Sequence, residues 1–307
     1  MRIITLLASL MMLLAVQVSA QISFTDDTGK TITLEKTPEK VIVLNSSNLE
    51  LFIAAGGTPA AYAESSTMPG YIKEKVKHLP SMGRVDSPDI EKIVTMQPDL
   101  VIGLNFPYHV GIRGSLESAG VKMAIFTIQN VSDIKHHMEI FGKIAGNSDA
   151  AKLSWEKINT KLEAVEKATA GLNKKKALVL FGSTESFSMA MPDSFVGQML
   201  ELAGGINIAK DSKEKSKGGM FKGFVPVSLE YTLIQDPDII FIITHEDLMT
   251  PSEDKSLLQH PAWQSLRAVQ QGHTIKLPFA TYGVNPTVRT GEAVAELSEL
   301  MYGDIIK

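Results

Sequence analysis

Two stretches of the chain carry the same punctuation, set 139 positions apart. Ser87-Pro88-Asp89-Ile90-Glu91 leads through Gln97-Pro98-Asp99 into Leu100-Val101-Ile102, and Val227-Ser228-Leu229-Glu230 leads through Asp236-Pro237-Asp238 into Ile239-Ile240-Phe241-Ile242. In each copy a glutamate near a helix start lies seven residues before a proline that cannot continue the helix, and an apolar strand follows. A recurring αβ unit of this kind predicts two similar lobes. A cleft between lobes is a common seat for a small ligand, and matched acids on matched lobes suit a two-fold symmetric partner.

The rest of the chain fills in the lobes. Phe24 to Leu34 reads as a small hairpin turning at Asp27-Thr28-Gly29-Lys30, followed by the buried-strand run Val41-Ile42-Val43-Leu44 and a helix that stops at Gly56-Gly57. Short apolar strands then alternate with helices, which implies a mainly parallel sheet covered on both faces. From Asp149 to Ala170 the pattern becomes one long amphipathic helix, with Leu153, Ile158, Leu162 and Val165 as its apolar stripe and Gly171 after it. The second lobe restarts at Ala177-Leu178-Val179-Leu180-Phe181, continues through a helix from Phe195 to Leu202 and closes with one from Gly291 to Tyr302; Lys210 to Gly223 reads as a mobile loop. The expected fold is α/β: two Rossmann-like lobes with mainly parallel sheets, joined by one long bridging α-helix. The divisions are 21–148 for the N-terminal lobe, 149–171 for the bridge and 172–307 for the C-terminal lobe.

Residues 1–20 are of another material: Arg2, an apolar run from Ile3 to Val16, then Val18-Ser19-Ala20. This is the pattern of a secretory signal peptide cleaved before Gln21, and the run is short for a membrane span. The chain has no cysteine, so neither disulfides nor a lipid-modified cysteine at the cleavage point is available. A protein free in the periplasm is expected. A net charge of −4 and the lack of a basic face give no reason to expect nucleic acid, and Lys174-Lys175-Lys176 reads as a solvated strand entrance.

Four segments together resemble the periplasmic binding proteins that serve ABC importers of iron-siderophore, haem and cobalamin. They are Val41-Ile42-Val43-Leu44 followed by Glu50; Met82-Gly83 through Glu91 to Pro98-Asp99-Leu100-Val101-Ile102; Asp193-Ser194-Phe195-Val196-Gly197 to Leu202-Ala203-Gly204-Gly205-Ile206-Asn207; and the Glu230 to Pro237-Asp238 unit. The resemblance covers the mature chain and implies a monomer that works with an ABC permease dimer and its ATPase subunits. It further implies that Glu91 and Glu230 dock into arginine-lined pockets on the two permease copies, each as a bidentate pair.

Residues at strand carboxyl ends should face the cleft. Those candidates are rich in Met, Phe and Tyr, which suits a flat, largely apolar ligand. His245 follows the Ile239 to Ile243 strand at the spacing seen in the haem-receptor lipoprotein of iron-regulated surface determinant systems, and the resemblance makes it an axial ligand of haem iron. That receptor's second ligand, a methionine, corresponds to Asp86 here; Met68, Tyr71, Met82, Tyr108 and His109 are the available substitutes, with Tyr108 and His109 presented by the Asn105-Phe106-Pro107 turn. Tyr282 lies in the Phe279 to Asn285 cleft segment. Arg84, Lys222 and Arg289 are the cations that would hold haem propionates or an anionic siderophore. Haem stands first as the bound ligand, ferric siderophore second and cobalamin third, with no resident cofactor.

A secreted hydrolase is the rival class. Gly182-Ser183-Thr184-Glu185-Ser186 lacks the second glycine of a nucleophile elbow, and His245-Glu246 lacks the second histidine of a zinc-protease helix. His136 and His137, adjacent on a helix, point about 100° apart and read as a solvated face. No catalytic constellation emerges, so the chain is expected not to be an enzyme.

Overall fold

A computed structural model describes residues 21–182, 187–214, 216, 223–244, 260–283 and 287–305. Residues 1–20, which the sequence marks as an expected leader, and Ser183, Lys222 and His245 lie outside these residues.

The chain opens with a hairpin, β1 (Ile22–Thr25) against β2 (Thr31–Leu34), whose turn uses Gly29 at φ 81°. The N-lobe follows as β3 (Val41–Val43), α1 (Ser46–Ala54), β4 (Ala61–Glu64), α2 (Gly70–Val76), β5 (Ser81–Arg84), β6 (Ser87–Pro88), α3 (Ile90–Met96), β7 (Leu100–Gly103), α4 (Pro107–Ser118), β8 (Met123–Ile125) and α5 (Val131–Ile144). Its sheet runs β6-β5-β4-β3-β7-β8, parallel except for β6. The bridge is α6 (Ser148–Thr169), capped by the Asn147 side chain, which accepts from the Ala150 N–H at 3.1 Å.

The C-lobe comprises β9 (Lys176–Gly182), β10 (Phe187–Ala190), α7 (Phe195–Leu202), β11 (Ile206–Asn207), β12 (Phe224–Pro226), α8 (Leu229–Gln235), β13 (Ile239–Thr244), α9 (Pro261–Gln264), α10 (Arg267–Gln270), β14 (Thr274–Leu277) and α11 (Thr290–Tyr302). Its sheet is ordered β12-β10-β9-β13-β14, with β11 beside β9. The central strands are parallel, as buried apolar runs require, but β10 is antiparallel to both β9 and β12. The sequence carries little signal for that edge, because Phe187 to Ala190 is short and contains a serine.

The duplication extends to individual hydrogen bonds. Helices α3 and α8 each have seven residues, begin on a capping side chain (Asp89, Ser228) and end on the only described non-glycine residues with positive φ, Gln97 at 48° and Asp236 at 42°. The Pro-Asp that follows does the same work twice. Asp99 Oδ2 accepts from the Lys40 N–H at 2.8 Å and Asp238 Oδ2 from the Lys176 N–H at 2.8 Å, each at the entrance of the neighbouring strand. The lysine of each pair then reaches back to the preceding helix end, at Met96 or Gln235.

The helix α6 packs on α5 of one lobe and α11 of the other. Its buried stripe is Ala151, Ile158 and Val165, seven apart, whereas Leu153, expected in the stripe, is exposed. Both neighbours approach through glycine. A Cβ at Gly142 would stand 2.6 Å from the Ala151 Cβ, and one at Gly291 would stand 2.9 Å from the Ile158 carbonyl oxygen. One apolar cluster therefore runs without a break from Val43, Ile102 and Phe141 through α6 to Val179, Phe241 and Leu297, while the opposite face of each sheet has its own cluster. Lobes that share a core through one continuous helix resist wide separation.

Candidate functional site

The matched helices put Glu91 and Glu230 at equivalent places. Each is on the first turn, each is solvent-exposed, and the helix N-terminus favours the negative charge. Neither enters an ion pair among the described residues.

At the carboxyl ends of the N-lobe strands, a cavity of about 650 Å³ is lined by Tyr62, Glu64, Ser65, Ser66, Met68, Lys73, Arg84, Val85 and Asp86. Met68 and Arg84 are thus brought together as expected, but Arg84 is already engaged. Its Nε and Nη2 donate to the two Asp86 carboxylate oxygens at 2.9 and 2.7 Å, and this hydrogen bonding lowers the Asp86 pKa to about 2. Asp86 therefore serves as the counter-ion of Arg84. Tyr108 is half-buried beside the same segment, stacked on Phe106 with ring centroids 5.5 Å apart and planes 18° apart; burial and the Asp86 charge raise its pKa.

On the C-lobe side Phe181, at the end of β9, contacts Phe224 and Phe279 at centroid distances of 5.1 and 6.0 Å, and all three rings are half-buried. Phe181 was read as ordinary strand core. Its partners lie on β12 and just after β14, each two strands from β9 in the sheet, a proximity that only sheet order reveals, although the alternation of β9 puts it on the face of Ala177 and Val179.

Arg289 connects the lobes. Its Nε lies 3.5 Å from Glu50 Oε1 of α1, its guanidinium carbon 5.9 Å from the centre of the Tyr71 ring on α2, and its terminal nitrogens donate to Thr281 Oγ1 and the Ala280 carbonyl. A second crossing joins α7 to the start of α5. Gln198 Nε2 donates to Asn130 Oδ1 at 2.8 Å, and its Oε1 accepts from the Val131 N–H at 3.2 Å.

Three expectations fail for physical reasons. His109 was expected in the cleft, but Pro107 starts a helix rather than a simple turn, and the imidazole is carried against the sheet with no exposure. Its Nδ1 accepts from the Leu104 N–H at 2.9 Å, and burial pulls its pKa down to about 4 against a smaller opposing effect of the Val85 carbonyl. Tyr282 is likewise buried. Its hydroxyl lies 2.7 Å from Glu296 Oε2 and 3.1 Å from the Ala293 carbonyl, and burial followed by the Glu296 contact raises its pKa; it braces α11 rather than facing a ligand. His137 is not on a solvated face: it is buried, with Nε2 3.1 Å from Asp27 Oδ1, and fastens α5 to the N-terminal hairpin, while His136 is exposed.

Comparison with known proteins agrees with this architecture. The family described as periplasmic binding protein matches residues 41–281. The high-affinity heme uptake system protein IsdE of Staphylococcus aureus strain MRSA252 is 22% identical over 308 residues, covering 99% of each chain. The crystal structure of S. aureus IsdE complexed with heme aligns with a TM-score of 0.70 at 19% identity, over 86% of this chain and 98% of that one. The periplasmic catecholate-siderophore binding protein VctP of Vibrio cholerae aligns with a TM-score of 0.72 at 19% identity, over 91% and 99%. With two lobes, a duplicated αβ unit, one bridging helix and a family match over most of its length, the chain belongs to the periplasmic binding protein family.

Proposed function

We propose that this protein is the substrate-binding component of an ABC importer, resident in the periplasm, and that it captures an iron chelate, haem first, between its lobes. The observation that carries the choice of haem is the aromatic clustering: Phe106 with Tyr108 at the start of α4 on one lobe, and Phe181 with Phe224 and Phe279 on the other. Half-buried rings in such places suit a large flat apolar ligand. The likeness to IsdE, named for heme uptake, supports the same choice. His245 is assigned as the axial iron ligand, with Met68, Tyr71 and Tyr108 as the further residues offered to the ligand and Lys222 as a cation for its carboxylates. Among the described residues no helix is long and apolar enough to cross a membrane. Delivery to the permease dimer proceeds by contact of Glu91 and Glu230, with no chemistry by this chain.

Titration with haemin tests the reading. A Soret shift is expected that His245→Ala abolishes or moves; a shift identical in that variant overturns axial ligation, and no shift overturns haem.

A second reading, a ferric siderophore, is favoured by the polar lining of the 650 Å³ cavity. Glu64, Ser65, Ser66 and Lys73 offer hydrogen bonds and a cation that a mostly apolar porphyrin does not use. The likeness to the catecholate-siderophore binder points the same way. Quenching of Trp155 or Trp263 fluorescence by ferric catecholates, without a haemin response, would select it.

A further inference from the structure

The sequence offers Arg84 and Arg289 as cations for an anionic ligand, and both prove to have carboxylate partners. The two pairs differ in kind. Arg84 pairs with Asp86 two residues on, within one exposed segment of the N-lobe, so the pair moves as one piece. Arg289 pairs with Glu50, and those residues belong to different lobes.

Glu50 is an unusual residue to find where it is. It sits in the middle of α1 between Leu49 and Leu51, and only 3% of it is exposed. A carboxylate there loses most of its hydration and needs compensation from its surroundings. Those surroundings are Arg289 and Thr287 from the C-lobe, and Lys75 from α2 at longer range. The Arg289 contact at 3.5 Å is an ion pair without an aligned hydrogen bond. Burial raises the Glu50 pKa, and the attractions of Thr287, Arg289 and Lys75 only partly offset it. Where desolvation outweighs attraction, a buried pair adds little to stability, and its consequence is geometric.

The geometry at Arg289 is well determined. Glu50 stands against Nε, Thr281 and Ala280 hold the two terminal nitrogens from its own lobe, and the Tyr71 ring of the N-lobe covers one approach. A planar guanidinium held at its edges has one orientation. Two of those four contacts come from the other lobe, so the orientation holds only while the lobes keep their present relation.

We propose that Glu50 is a positioning residue: it reaches out of the N-lobe to seat the C-lobe guanidinium of Arg289 beside Tyr71, so that a cation at the cleft is set by the contact between lobes. The proposal rests on the reading of the cleft as the ligand site. It adds a specificity determinant, since an anionic ligand group must share Arg289 with Glu50, and prying the lobes apart removes both of the cation's N-lobe partners at once.

The absence of cysteine permits a direct test. Spin labels on Lys77→Cys of the N-lobe and Lys210→Cys of the C-lobe, both exposed, report the interlobe distance by pulsed electron resonance. Glu50→Gln and, as a second variant on the partly exposed partner, Arg289→Gln are each expected to shift or broaden that distribution. Haemin affinity should fall by about tenfold in each, and by no more in the double variant, because the two residues act as one unit. Thermal melts at neutral pH verify folding, and Glu50→Gln should not lower the midpoint. Distributions like the parent's in both single variants overturn the proposal whatever the haemin titration gives. A parent that binds no haemin but whose variants show the shift keeps the proposal and removes the haem reading.

Discussion

At the scale of the residue, His109 illustrates how burial decides chemistry. Its ring takes the Leu104 N–H at Nδ1, so a second proton would have to displace that hydrogen bond and would place a charge in a dry site. The folded protein therefore withholds protonation down to about pH 4, whereas the unfolded chain takes up that proton near the ordinary histidine value of 6.5. Between those values the unfolded state binds more protons. The contribution is thus full above pH 6.5 and is lost as pH falls towards 4, by about 3 kcal/mol for a shift of this size. Urea denaturation of the parent and of His109→Asn checks this: the variant is expected to lose that part of the acid slope, and a slope unchanged from the parent's would refute the assignment. Asp86 works in the same direction lower down, since its pKa is depressed to about 2 by Arg84; being solvent-exposed, it carries no comparable weight.

At the scale of the element, the repeated Pro-Asp explains why two unrelated-looking stretches fold alike. The proline ends the helix, the residue before it accepts the left-handed conformation, and the aspartate caps the entrance of the adjacent strand. The copies differ in one respect. Asp99 Oδ2 accepts from the N–H groups of both Glu39 and Lys40, each at 2.8 Å, whereas Asp238 Oδ2 accepts from Lys176 alone, with Asp238 Oδ1 turned to Arg267 at 2.8 Å. Asp99→Ala and Asp238→Ala should each cost about 1–3 kcal/mol in chemical denaturation, with the Asp99 loss the larger and Asp99→Asn recovering part of it. The bridging helix adds a second element-scale prediction. Gly291→Val forces a side chain towards the Ile158 carbonyl and should destabilise the protein by about 1–3 kcal/mol, visible as a lower melting midpoint.

At the scale of the whole molecule, a core continuous through α6 restricts the lobes to small excursions, and beyond that core the lobes meet through a few contacts at Arg289 and Gln198. The docking role proposed for the twin carboxylates belongs to this scale because it needs both lobes at once. Glu91→Arg with Glu230→Arg is expected to reduce ligand import by more than tenfold while leaving ligand affinity as in the parent, since neither residue lines the cavity. Import at the parent's rate in the doubly reversed protein would refute the docking role. Much of this architecture was legible in the chain itself. The period-two and period-3.6 patterns, the Pro-Asp breaks and the recurrence of one αβ unit are local signals, because helix termination and strand burial depend on neighbours a few residues away. They were enough for the strands β3, β7 and β13, the helix α7 to its ends, the bridge and the two-lobe plan. What a side chain faces is not local. Whether His109 meets solvent or sheet, whether Tyr282 meets ligand or Glu296, and whether Arg289 stands free or is claimed by Glu50 depended on packing between segments remote in sequence. Burial and charge pairing are properties of the assembled core, and only the tertiary structure could decide them.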